Sequence, residues 1–345
     1  MTETGRTLLW ATLILALVAM PLAVSSGRWI EFLEFTLFVA VLGQGWNILG
    51  GYGGQYSFGH ALFFGTGAYL QALLQFKFGF SPWIAMWFAL AGGIAVGGAV
   101  GFLSFRYGLR GSYFALITLA FAEAFHVLSR SFISITEGGR GVQLALNQDP
   151  ERALAMFQFN FAGPFLRAYG FYYTILIILL LAYAATWWME RTRFGAQLIA
   201  VRENEDAAEA LGINAFRVKM GAICMSAGIT AFAGIYYTQK FLFIDPGIAY
   251  GPSKSIEALV APIIGGLGTV FGPLIGAIFI HGLGEFAKEM IGLVWADRPG
   301  LDLILFGIIL ILVLGFAPRG LVGISEAIWN RVRYRIRTLR SKTDA

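Results

Sequence analysis

Residues 168–188 read Ala-Tyr-Gly-Phe-Tyr-Tyr-Thr-Ile-Leu-Ile-Ile-Leu-Leu-Leu-Ala-Tyr-Ala-Ala-Thr-Trp-Trp, from Ala168 to Trp188 without a charged side chain. A hydrocarbon core about 30 Å thick is crossed by about 20 apolar residues in an α-helix. A backbone in lipid must satisfy its own hydrogen bonds, and this run is too long for a barrel strand, so it predicts a membrane-spanning helix. Working outward, further apolar segments lie at about 7–24, 28–49, 57–78, 83–103, 111–132, 218–240, 254–271, 273–292 and 300–318. The expected fold is an all-α, polytopic membrane helical bundle of about ten transmembrane helices. Arg6 and the run after it could pass for a signal peptide, but the length of the run and the many spans behind it predict a retained first span.

Composition agrees. Hydrophobic residues make up 57% and charged residues 13%, against about 25% charged in soluble domains, and the mean hydropathy is +0.70. The single cysteine, Cys224, excludes a disulfide within the chain and a cysteine-based metal site. His60, His126 and His281 are too far apart for a metal-binding helix motif. No metal, no cofactor, no catalytic group and no nucleic-acid surface is expected.

Most of the 25 lysines and arginines fall on one side if both termini are cytoplasmic. Arg331, Arg333, Arg335, Arg337, Arg340 and Lys342 form a basic tail suited to anionic lipid. The organisation expected is one membrane-spanning domain over 1–345, with a cytoplasmic loop at 189–217 and a cytoplasmic tail at 320–345. An external loop at about 133–167 contains Thr136-Glu-Gly-Gly-Arg-Gly-Val142. Gly93, Gly97 and Gly101 recur at a spacing that lets helix backbones approach in lipid.

Four constellations could carry function. In the cytoplasmic loop, Arg202-Glu-Asn-Glu-Asp-Ala-Ala-Glu-Ala-Leu-Gly212 reads as a short surface helix. Asn204 caps its start, Glu205 and Asp206 suit its N-terminal dipole, and Gly212 stops it. Ala207, Ala208 and Leu211 form a small apolar face. So short a helix is marginal alone, so the face is expected to pack on this chain or on a partner. The second is Gly50-Gly-Tyr-Gly-Gly-Gln-Tyr-Ser-Phe-Gly-His60, too rich in glycine for a regular helix. Gln55, Tyr56, Ser57 and His60 would either line a cavity or sit in a tight turn. The third is Glu123, mid-way along its span and one turn from His126; such groups face the bundle interior, water or a partner. The fourth comprises Gly265-Gly-Leu-Gly-Thr-Val-Phe-Gly-Pro273 and Phe316-Ala-Pro-Arg-Gly-Leu-Val-Gly323, read as a tight interhelical turn and a helix stop.

Asp206-Ala207-Ala208, three residues and then Gly212 resemble the EAA loop of ABC importer permeases, with Asp for Glu and without its distal leucine-proline part. Gly53-Gly54-Gln55-x-Ser57-x-Gly59-His60, Tyr113-Phe114 with Thr118-Leu119-Ala120 and Glu123, Arg202-Glu203-Asn204-Glu205, Gly265-Gly266-Leu267-Gly268-Thr269 and Pro318-x-Gly320-Leu321 occur in the order found in LivM-type permeases of branched-chain amino acid uptake. The chain resembles that family over about 35–320, departing from it where Glu137 interrupts the usual Thr-Gly-Gly. The resemblance implies a type II-like ABC importer permease with an inverted repeat, in a bacterial inner membrane. The implied partners are ATP-binding subunits, a second, LivH-like permease subunit and a periplasmic substrate-binding protein. It implies that Arg202, Glu203, Glu205, Asp206, Ala207, Ala208, Leu211 and Gly212 couple to the ATPase. Gln55, Tyr56, Ser57, His60, Thr118 and Glu123 would then line the translocation pathway. Branched-chain amino acids are the implied substrates, with urea, amides or aromatic acids as alternatives within the class. An autonomous secondary transporter or channel is the alternative outside it.

Overall fold

The computed structural model describes residues 12, 15–23, 26–147, 149–294, 304, 305, 307–309, 311, 315 and 320–323. The runs expected at 7–24 and 300–318 fall only partly within these residues. Pro318, Arg319 and the basic tail from Arg331 to Lys342 lie outside them.

The long helices follow the apolar runs: α1 (Gly27–Asn47), α2 (His60–Phe78), α3 (Pro82–Arg106), α4 (Gly111–Ser131) and α5 (Pro164–Arg191). Two shorter helices, α6 (Arg193–Glu203) and α7 (Glu205–Ala210), occupy the loop before α8 (Ala215–Phe241). The chain continues through α9 (Pro246–Tyr250), α10 (Pro252–Gly265) and α11 (Gly272–Val294). Among the described residues, five helices are long and apolar enough to cross a membrane: α1 with its continuation to Tyr52, α3, α4, α5 and α8.

Two of the apolar runs shorten, both at glycine. The run at 254–271 stays helical only to Gly265, because Gly266 and Gly268 take positive φ angles of 143° and 66°. The remaining 14 residues of α10 rise about 21 Å at about 1.5 Å per residue, short of a full crossing. The run at 57–78 becomes helical only at His60. The backbone N–H of Ala61, in the first turn of α2, donates to Ser255 Oγ in the first turn of α10 at 2.9 Å.

The contacts have an exchange symmetry. α2 and α3 pack on each other and both pack on α8; α10 and α11 pack on each other and both pack on α1. Two related halves, each packed on the first helix of the other, would give this pattern. The glycine stripe of α3 seats on α8: a Cβ on Gly93, Gly97 or Gly101 would come within 2.4 Å of Ala231 Cβ, 2.4 Å of Ala227 Cβ and 2.6 Å of Ile223 Cγ2. By contrast, α4 has only 22% of its spanning window buried, against 83% for α1.

At the end of the bundle away from α6 and α7, β1 (Val142–Gln143) pairs antiparallel with β2 (Phe243–Ile244) in the register Val142↔Ile244. The pair ties the 133–167 loop to the segment entering α9. Glu137, the residue that interrupts Thr-Gly-Gly, has a φ of 61° and lies 3.4 Å from Lys77 Nζ.

Candidate functional site

The glycine-rich break follows directly from α1. Ile48–Tyr52 form a π-helical turn, with Gly53 N–H donating to Ile48 O at 3.1 Å and Gln55 N–H to Leu49 O at 3.0 Å. Such a turn needs small residues here. The Trp46 indole covers Gly50, where a Cβ would lie 2.5 Å from the ring, and a Cβ on Gly51 would meet Asn47 Oδ1 at 2.0 Å. Trp46 Nε1 donates across the break to Ser57 O at 2.7 Å.

The residues after the break divide into a packed set and an open set. Ser57 Oγ lies 3.1 Å from His60 Nδ1, and Ser226 Oγ lies 2.8 Å from Nε2. Both ring nitrogens are engaged and His60 has no exposed surface. Thr118 accepts from Phe58 N–H at 3.2 Å and donates to Ala115 O at 2.8 Å. His60, Ser57 and Thr118 are therefore enclosed in this chain and pin α2, α4 and α8 together. The sequence reading puts all three on a pathway; in this subunit their side chains are packed inside the chain. Gln55 is also buried, and its Oε1 lacks a hydrogen-bond partner among the described residues. Tyr56 and Phe58 are 46% and 43% exposed. Phe58 carried no signal in the sequence, since an aromatic residue in an apolar stretch reads as core.

Glu123 lies about 7.5 Å beyond Thr118 along α4, at about 1.5 Å per residue. Its Oε1 lies 3.4 Å from His126 Nδ1, and its side chain is 58% exposed. The pairing agrees with the spacing. Of the two partners open to Glu123, His126 or a polar group on the 54–60 segment, the contact formed is with His126, and Glu123 sits on the open face of α4, with exposed Leu116, Leu119 and Val127.

The second half of the candidate site is the α6–α7 loop. Asn204 Oδ1 accepts from Ala207 N–H at 3.0 Å and caps α7 as its sequence position predicts. Gly212 closes the helix with a φ of 85°, and Ile213 N–H donates back to Ala208 O at 3.1 Å. The apolar face is split. Ala208 is 3% exposed and packs inward, whereas Leu211 is 83% exposed and Ala207 also faces outward.

Charges clamp this helix to the bundle. Lys219, 2% exposed at its side chain, meets Glu205 Oε1 at 2.5 Å, with its Nζ 5.1 Å from the centre of the Phe105 ring. Arg110, between α3 and α4, meets Glu205 Oε2 at 3.1 Å and Asp206 Oδ1 at 3.0 Å. The Asp206 hydrogen bond leads the causes that raise the Arg110 pKa, followed in favour of the cation by the Glu205 charge. Sequence reading missed Arg110 and Lys219 as parts of the site, because both partners are distant in sequence.

Arg202 turns inward. Its Nη1 donates to Gly51 O at 2.9 Å, while Nε and Nη2 hold Glu203 Oε1 at 3.0 and 2.6 Å. Asn47 sits beside this contact, accepting from Gly268 N–H at 2.9 Å and donating to Thr269 O at 2.9 Å. The α6 end, the α1 break and the α10–α11 turn thus meet at one node.

Comparison with known proteins places this arrangement. The family described as branched-chain amino acid transport system, permease component, matches residues 28–314. The high-affinity branched-chain amino acid transport system permease protein LivM of Escherichia coli (strain K12) is 28% identical over 330 residues, 90% of this chain and 73% of its own. The permease protein LivH of the same system and organism is 25% identical over 293 residues, 83% of this chain and 92% of its own. The permease protein BraD of Pseudomonas aeruginosa is 28% identical over 151 residues, 44% of this chain and 47% of its own. No solved structure matches the chain.

Proposed function

We infer the role of this chain from the premise that it belongs to the family of permease components of branched-chain amino acid transport systems. It is a multi-pass membrane permease subunit of the ABC transporter class. The proposed activity is import of branched-chain amino acids across a bacterial inner membrane by ATP-driven alternating access. ATP is hydrolysed on separate subunits, and a periplasmic binding protein delivers the substrate. A second, related permease completes the membrane part; that both LivM and LivH resemble this chain supports such a pair.

The α6–α7 loop carries the reading. A short helix with a capped start, a left-handed stop and an exposed Leu211 is clamped by Arg110 and Lys219. It presents a fixed apolar tip that the described residues leave open, which suits a cleft on an ATPase subunit. With that loop in the cytoplasm, the α1 break and the Gly268 turn lie towards the inner side, and the β1–β2 pair lies outside. In this frame Tyr56, Phe58 and Glu123 are the pathway-facing residues. The exposed face of α4 would be covered by the second permease, because an ionisable pair on a lipid-facing helix surface is costly.

The test is reconstitution. The full complex in vesicles should take up labelled leucine only with ATP and binding protein present. ATP-independent uptake by the isolated chain would instead indicate a secondary transporter.

A further inference from the structure

On the reading just given, we propose that Arg202 is a positioning residue that delivers movement of the coupling loop to the glycine break of α1. The Nη1–Gly51 O bond is 2.9 Å and spans 151 positions of sequence. The aliphatic stem of the same side chain lies against Gly54, where a Cβ would come within 2.6 Å of Arg202 Cγ. Its Nη1 would lie 3.2 Å from a Cβ on Gly268. One side chain therefore touches both ends of the break and the α10–α11 turn.

The backbone it holds is suited to two arrangements. Gly54 has a φ of 65°, and glycine changes backbone region with little steric cost. The hydrogen-bonding partner is a main-chain carbonyl beside the π turn, so a shift of Arg202 acts on the backbone itself. From Gly54 the strain passes through Gln55 and Tyr56 to Ser57, which Trp46 and His60 hold. It then reaches Phe58, whose N–H is fixed on Thr118 of α4. On the other branch Asn47, one turn before Gly51, binds the 268–269 turn through two hydrogen bonds, and Gly51 lies against both. The fork to Glu203 keeps the guanidinium plane aimed at the carbonyl. Coupling needs such a physically continuous chain with an element that can adopt two states.

The test uses the reconstituted complex with leucine and its binding protein as probe. Two quantities are measured together: ATP hydrolysed and leucine taken up. Arg202→Gln should insert and retain the ATPase subunits, because the Arg202 guanidinium is turned to Gly51 O and not to the open tip at Leu211. Its uptake per ATP should fall about tenfold, a rate effect of about 1.4 kcal/mol. Arg202→Lys, which keeps a cationic donor for Gly51 O, should recover part of the loss. Gly54→Ala displaces the Arg202 stem and should reproduce the uncoupled pattern, which covers the case in which Arg202→Gln does not fold. Unchanged uptake per ATP in Arg202→Gln or Gly54→Ala overturns the inference. So does loss of the ATPase subunits from Arg202→Gln, which would make Arg202 a docking residue. If the parent chain does not associate with ATPase subunits at all, the transporter reading itself fails.

Discussion

Lys219 Nζ and Glu205 Oε1 meet at 2.5 Å at the junction of α7 and α8, with only 2% of the lysine side chain exposed. Glu205 also accepts Arg110, so one carboxylate fixes the short helix to two separate parts of the bundle. Removing one partner of a buried pair leaves the other charge uncompensated, at a cost of about 3–5 kcal/mol. Glu205→Ala should lower the thermal stability of the purified subunit and expose the 189–217 loop to protease. The double variant Glu205→Leu with Lys219→Met should recover most of that stability. Equal melting temperatures for Glu205→Ala and the parent would show that the pair does not hold the helix.

The split apolar face of α7 separates docking from folding. Leu211→Asp places a charge on an 83% exposed site, so the subunit should insert and melt as before while ATPase co-purification falls. Ala208→Asp buries a carboxylate at a 3% exposed site and should destabilise the subunit itself by about 1–3 kcal/mol or more. The same phenotype from both substitutions would contradict this division.

Gly212 needs its backbone conformation, not space. A Cβ there would meet nothing within 4 Å, but φ is 85°. Gly212→Val should therefore cost about 1–2 kcal/mol through the left-handed penalty alone, and Gly212→Asn should cost much less. The comparison is made by unfolding the two variants side by side; equal losses would point to a packing constraint instead.

Orientation can be read by labelling in a Cys224→Ser background. Arg140→Cys, in the loop next to β1, and Leu211→Cys, just past the end of α7, replace exposed residues at opposite ends of the bundle. They should react with an impermeant thiol reagent from opposite sides, Arg140→Cys from the periplasm. Labelling of both from the same side would refute the topology.

Glu123 should matter to transport more than to the fold. Its side chain is 58% exposed in the single chain, so Glu123→Gln should leave subunit stability within about 0.5 kcal/mol, as for exposed sites generally. Leucine uptake by the complex should nevertheless fall, with Glu123→Leu affected at least as strongly. Parental uptake by both variants would remove Glu123 from the pathway.

What was legible in the sequence is what local chemistry decides. Asn204 and Gly212 mark the ends of a helical turn wherever it packs, and both do so here. The glycines from 50 to 54 announce a broken backbone, and the Gly93, Gly97, Gly101 spacing announces a close helix seam. Direction was not legible. Arg202 reads as the lead-in to a surface helix that faces a partner, yet it points to a carbonyl 151 positions away. His60 and Glu123 both read as polar groups at membrane depth; one proves fully enclosed and the other open. Two serines, Ser57 in the break and Ser226 on α8, decide the first case, and the few neighbours of α4 decide the second.

The α3–α8 seam has a mechanical consequence. Gly93, Gly97 and Gly101 leave no clearance for side chains between the two backbones, and dense interiors switch between discrete packings instead of deforming. Sliding of α3 along α8 would drive Ala227 and Ala231 into the intervening turns, so the two helices behave as one stiff strut. α4 lacks such a seam and is tethered near its start by Thr118. A tilt imposed at that tether swings the Ser131 end of α4 through the largest arc, as a lever pivots on a short arm, and carries Glu123, about 7.5 Å from the pivot, through a smaller one.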